Sequence, residues 1–135
     1  MSNFGKYAIL TPVEYKFREE PDWTWIIKPI LSGEELERSK FLMQRRAITE
    51  GVQRFELPPT WLEVCHREIA LTFGGTTIPK EVDSKEPALN KNATVAEIEA
   101  FLKTMPQPMV MEIWDAIGVS YPEWGPATPK ATSAV

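Results

Sequence analysis

The densest group of reactive side chains in this 135-residue sequence is Cys65-His66-Arg67-Glu68, which sets a thiol, the single imidazole and a carboxylate side by side. A thiol activated by an imidazole is a nucleophile, and Cys with His and a carboxylate is also a zinc donor set, so both chemistries have to be weighed. Adjacent residues on a helix point about 100° apart, so Cys65 and His66 would not face one another. With one Cys and one His in the sequence, no second such donor completes a zinc site. The better reading is a small apolar core residue, Cys65, beside a structural histidine.

Gly74-Gly75-Thr76-Thr77 invites comparison with a phosphate cradle. It follows a helical pattern rather than leading into one, however, and neither Gly-x-Gly-x-x-Gly nor Gly-Lys-Ser/Thr spacing is present. Helix termination accounts for it better. The carboxylates at Glu34, Glu35, Glu37, Glu97, Glu99, Glu112 and Asp115 fall near helix starts or on polar faces, where the macrodipole and solvent account for them without acid–base work. No catalytic, cofactor-binding or metal-binding residue is therefore assigned, and the expectation is a binding protein without a cofactor, not an enzyme.

Aromatic residues carry more information. Trp23 and Trp25, with Ile27, lie in a proline-bounded segment, while Trp114, Tyr121 and Trp124 lie in a short Pro- and Gly-broken C-terminal region. Five tryptophans are many for the centre of one small core. Partly exposed Trp and Tyr are common interface anchors, so Trp23, Trp25, Ile27, Trp114, Tyr121 and Trp124 form the candidate partner-binding set, against the alternative that they cap the ends of the core.

The rest of the composition narrows the class of partner. A formal charge of −4, with Gln44-Arg45-Arg46 as the densest basic spot, offers no clustered positive face for nucleic acid. No segment reaches the apolar length of a signal peptide or membrane span, and the single cysteine suits a reducing compartment. No membrane or small-molecule partner is expected. Asn92-Ala93-Thr94 matches a glycosylation acceptor, but Thr94 is better used as a helix cap.

The elements that would hold these residues are announced by three Ser/Thr-x-x-Glu boxes, Ser32 to Glu35, Thr60 to Glu63 and Thr94 to Glu97, each standing before helically spaced apolar residues. The first helix is expected from about Gly33 to Thr49, ended by Gly51. The second carries Leu62, Cys65, Ile69 and Phe73 on one stripe, is stopped by Gly74-Gly75, and is apolar on more than one side, as befits the centre of a fold. Val95 to Thr104 and Met109 to Ile117, joined by a short proline-flanked link, predict a tight helical hairpin with Phe101, Ile113 and Trp114 between its arms.

Val13 to Arg18 alternates as a strand would, with Val13, Tyr15 and Phe17 on one face. Trp23 to Leu31 is a second strand, limited by Pro29 to an edge, or an extended segment along the helices. Residues 76–92 read as a long exposed connection, and the low-complexity stretch from Ala127 to Val135 as a flexible tail. The predicted fold is thus mainly α: one domain over residues 1–126, a small bundle of about four helices, with a short N-terminal β-hairpin as one option for 13–31.

Asp22-Trp-Thr-Trp-Ile-Ile-Lys-Pro29, Ser32-Gly-Glu-Glu-Leu36, Cys65-His-Arg-Glu-Ile-Ala-Leu-Thr-Phe73, Val110-Met-Glu-Ile-Trp114 and Tyr121-Pro-Glu-Trp-Gly-Pro126 together resemble the tail assembly chaperones of long-tailed bacteriophages. The resemblance spans much of residues 22–126 and contains no catalytic signature. It implies a mostly helical, non-enzymatic helper in the host cytoplasm that binds the tape measure protein and tail tube protein during tail assembly and is absent from the mature virion. In such families a frameshifted longer form is common, and self-association is a further option. The competing expectations are a structural virion protein, such as a head–tail connector or tail completion subunit, and an enzyme accessory protein.

Overall fold

The computed structural model describes residues 11–126, apart from the side chain of Ile48. The expected tail over 127–135 lies outside them. Two strands, β1 (Val13–Lys16) and β2 (Thr24–Ile27), form an antiparallel hairpin, and β5 (Phe73–Thr76) adds to β2, giving the sheet order β1-β2-β5. Four helices, α1 (Ser32–Met43), α2 (Trp61–Leu71), α3 (Val95–Leu102) and α4 (Gln107–Ser120), complete the core unit, and β3 (Arg46–Glu50) with β4 (Gln53–Leu57) makes a separate two-stranded hairpin. Four helices match the expected number, but the fold is mixed α and β rather than mainly α.

The N-terminal sheet follows from the alternation of Val13, Tyr15 and Phe17. Tyr15 stands opposite Trp25, and Val13 opposite Ile27, so one face carries the large apolar residues inward. The turn between the strands is closed by the Trp23 N–H donating to the Glu20 carbonyl at 2.9 Å. β2 is the central strand, not an edge. Pro29 lies beyond its end, and the preceding Lys28 N–H is already satisfied by the Thr72 carbonyl at 2.8 Å, so the proline removes no ladder bond.

Gly74 and Gly75 do not stop a helix. α2 ends before them at Thr72, whose hydroxyl donates to the Glu68 carbonyl at 2.8 Å, and the glycines belong to β5. A Cβ on Gly74 would sit 2.8 Å from Ile26 Cγ2, so the missing side chain is what lets β5 lie against β2, where the register also slips between Ile26 and Ile27.

The first helix is shorter than expected. Its last turn closes at Met43, and Arg46–Glu50 is a strand because Gly51, at φ 60°, opens a two-residue turn with Val52 that folds the chain back on itself. Leu36 and Met43 are exposed, and Phe41 is the residue of α1 that is buried. The Thr60–Glu63 and Thr94–Glu97 boxes cap α2 and α3 reciprocally, each Thr N–H donating to the Glu carboxylate at 2.8 Å. The third box is displaced: at α1 the Leu31 N–H donates to Glu34 Oε1 at 2.8 Å, and no hydroxyl takes part.

α2 is the hub on which α1, α3 and α4 pack. α3 and α4 are joined by a short link, and each packs on α2. Phe101 turns to stack on Trp25 at 6.5 Å between ring centroids, and Trp114 to stack on Trp61 at 6.1 Å. α4 runs through Gly118 to Ser120. Residues 77–92 form a largely exposed connection that is anchored at two points: Ile78 and Leu89 are buried in the core, and Pro79 pairs with Pro87 across the loop.

Candidate interaction surface

Cys65, His66 and Glu68 have different surroundings. Cys65 is fully buried, and its thiol is pushed up to about 12, first by burial and then by the charges of Glu68 and Asp115. A thiol so far from ionising is no nucleophile at neutral pH. His66 lines a small cleft with Phe41, Glu63, Arg67, Glu99 and Lys103. Burial lowers its pKa, with Glu99 opposing that effect and Lys103 reinforcing it, so the ring is neutral at physiological pH. Among the described residues no cluster of metal-donor side chains forms.

Glu68 has a structural task. Its carboxylate accepts from Arg38 Nε at 2.8 Å on one oxygen, and from Trp114 Nε1–H at 2.8 Å and the Gly125 N–H at 2.7 Å on the other. Arg38 also donates to the Glu123 carbonyl at 2.9 Å and lies over the Trp124 ring at 4.9 Å. One buried charge on α2 thereby fastens α1, α4 and the turn 121–126 together. Arg38 carries no sequence signal for this role, because its partner is thirty residues away.

The candidate aromatic set is placed mostly inside. Trp25, Ile27 and Trp124 are essentially inaccessible and Trp114 nearly so, while Trp23 and Tyr121 are half-buried against the same core. Trp25 packs edge-on to Phe73 at 5.0 Å, and the Tyr121 hydroxyl accepts from the Ile30 N–H at 3.3 Å. Trp25, Ile27, Trp114 and Trp124 are therefore core residues, whereas Trp23 and Tyr121 keep part of their surface open to solvent.

Exposed apolar surface lies elsewhere. Trp61, at the first position of α2, is 59% exposed with its ring supported by Trp114. Met43 closes α1 just before the β3–β4 hairpin, and Phe55 and Leu57 lie within it; all three are exposed. At the base of this arm Phe41, Gln44, Arg45, Arg46, Leu57, Pro58, Pro59 and Glu63 line a cleft of about 150 Å³, with Arg46 and Glu63 paired at 3.7 Å across it. Every residue of β4 is exposed, and the arm pairs with no other strand among the described residues. Such a surface suits the docking of another polypeptide. The sequence signals that could have found it are β-branched Ile48 and Thr49 before Gly51, followed by alternating Gln53-Arg-Phe-Glu-Leu57.

No family model, curated protein or solved structure matches this chain.

Proposed function

We propose that this protein is a non-enzymatic assembly chaperone of a long-tailed phage, acting in the host cytoplasm by covering apolar segments of the tape measure protein until tail tube subunits enclose it. The sequence resemblance over residues 22–126 supports the family. The observation that carries the mechanism is the exposure of three apolar side chains on the elements that flank the β3–β4 arm, Met43 at the end of α1, Leu57 at the end of β4 and Trp61 at the start of α2, while the core is completed by other residues. A tape measure protein is expected to be a long helical chain whose apolar stripe needs reversible cover. Exposed Trp, Met and Leu side chains can cover such a stripe without a cofactor, Met adapting to irregular surface and Trp supplying area.

Co-expression of the chain with its genomic neighbour of tape measure type is the test. The wild-type chain should keep that protein soluble and co-purify with it, whereas Met43→Ser combined with Trp61→Ser should lose capture while circular dichroism stays unchanged. Capture unaffected by the double substitution sinks the proposed surface. Stoichiometric recovery of the chain from purified particles would instead make it a structural virion subunit.

A further inference from the structure

The β3–β4 arm is self-complementary along the outer edge of β4. Gly51-Val52 is a two-residue turn, so Glu50 and Gln53 form the first hydrogen-bonded pair of the ladder, followed by Ile48 with Phe55 and Arg46 with Leu57. By alternation, the N–H and C=O groups of Arg54 and Glu56 point away from β3. No backbone partner meets them among the described residues. This edge holds no proline, lysine or bulge, and the two charges it does carry, Arg54 and Glu56, are of opposite sign.

The side chains on the strand are arranged symmetrically about Phe55. Reading Gln53-Arg-Phe-Glu-Leu57 against its own reverse puts Arg54 opposite Glu56, Phe55 opposite Phe55, and Glu56 opposite Arg54. Neither Arg54 nor Glu56 has an ion-pair partner among the described residues, and Phe55 is 43% exposed. Backbone and side chains agree in register. The outward-pointing residues, 54 and 56, are those that would exchange hydrogen bonds, and Phe55 falls at the closely spaced, non-hydrogen-bonded position where cross-strand aromatic contact is best.

We propose that β4 pairs antiparallel with β4 of a second copy of this chain, about a two-fold axis through Phe55, making a four-stranded sheet from two arms. The contact is isologous and closes as a dimer. Two features favour this occupant. The first is the opposite charge at positions that symmetry brings together. The second is the arm itself, since a lone two-stranded hairpin is marginal in water and a four-stranded sheet is not. The β3 edge is the weaker choice, because Arg46 is already paired with Glu63 and the outward-pointing residues there are Ala47 and Thr49. This dimer does not depend on which protein the chain binds.

Charge swapping on the full-length chain, read by sedimentation equilibrium, tests it. Arg54→Glu sets a second carboxylate against Glu56 in both halves, and Glu56→Arg places like positive charges together, so each variant alone should dimerise about tenfold or more weakly than wild type. An equimolar mixture of the two removes the like-charge contacts from the mixed pair and should dimerise more strongly than either variant alone. Phe55→Cys should form an intermolecular disulfide on mild oxidation, since Cys65 is buried, whereas Gln53→Cys and Leu57→Cys should not. A monomeric wild-type chain, a dimer indifferent to both charge variants, or cross-linking at residue 53 or 57 in preference to 55 would overturn the proposal.

Discussion

Arg38 on α1 and Glu68 on α2 meet at 2.8 Å, Nε to Oε2, with the Glu68 side chain almost wholly enclosed and the Arg38 side chain one-fifth exposed. The asymmetry in burial decides which partner the fold depends on more. An arginine at the rim can turn to water, but a carboxylate under the C-terminal turn cannot.

Arg38→Met should therefore cost more than Glu68→Gln. The first strands a buried charge and should lower stability by about 3 kcal/mol or more. The second leaves an amide oxygen for Trp114 and Gly125 and releases an arginine that water can reach. Urea unfolding of the two variants measures this. Equal losses would mean that Glu68 is hydrated in solution and that it does not clamp the turn 121–126.

Two tryptophans should differ severalfold in the cost of truncation. Trp25→Ala empties the centre of the core and should cost about 3–5 kcal/mol, enough to unfold a marginal domain. Trp61→Ala removes a ring that lies mostly in solvent and should cost about 1 kcal/mol. Thermal melts followed by near-UV circular dichroism separate them. A tolerated Trp25→Ala would return that residue to the surface.

The two capping glutamates predict an acid-dependent loss of stability. Glu63 and Glu97 are held below the usual carboxylate range, first by the backbone N–H of Thr60 and Thr94 and then by the threonine hydroxyls. A carboxylate with a lower pKa folded than unfolded stabilises the native state above its unfolded pKa, and that contribution disappears as pH falls through the folded value. Urea midpoints should thus drop as pH is lowered through the carboxylate range, and the drop should be shallower in Glu63→Gln with Glu97→Gln, since Gln keeps an acceptor that does not titrate. An identical pH profile in the double variant would count against both caps.

Legibility follows the range of the interactions. The Thr60 and Thr94 boxes are readable because cap and carboxylate lie three residues apart, within a single turn. The face shared by Val13, Tyr15 and Phe17 is readable because alternation is local. Residues 44–50 mislead because Met43 and Ala47 continue a helical spacing, and spacing alone cannot show that Gln53–Leu57 returns to pair with Arg46–Glu50. The exposed Trp61 is hidden by the same limit: its position off the apolar stripe of α2 is visible, but not which side of α2 α4 covers.

What the sequence determined by itself was the number of helices, where two of them start, the inward face of the first hairpin, and the lack of a second Cys or His to join Cys65 and His66. Tertiary structure alone decided that Phe73–Thr76 is a strand, that Trp25 and Trp124 are core, that Glu68 belongs to Arg38, and that β4 pairs among the described residues with β3 alone. The division has a physical cause. Caps and alternation depend on residues a few positions apart, whereas burial and strand pairing depend on groups that meet only after the chain has closed loops of thirty to sixty residues, as Arg38 with Glu68 and Gly125 with Glu68 do.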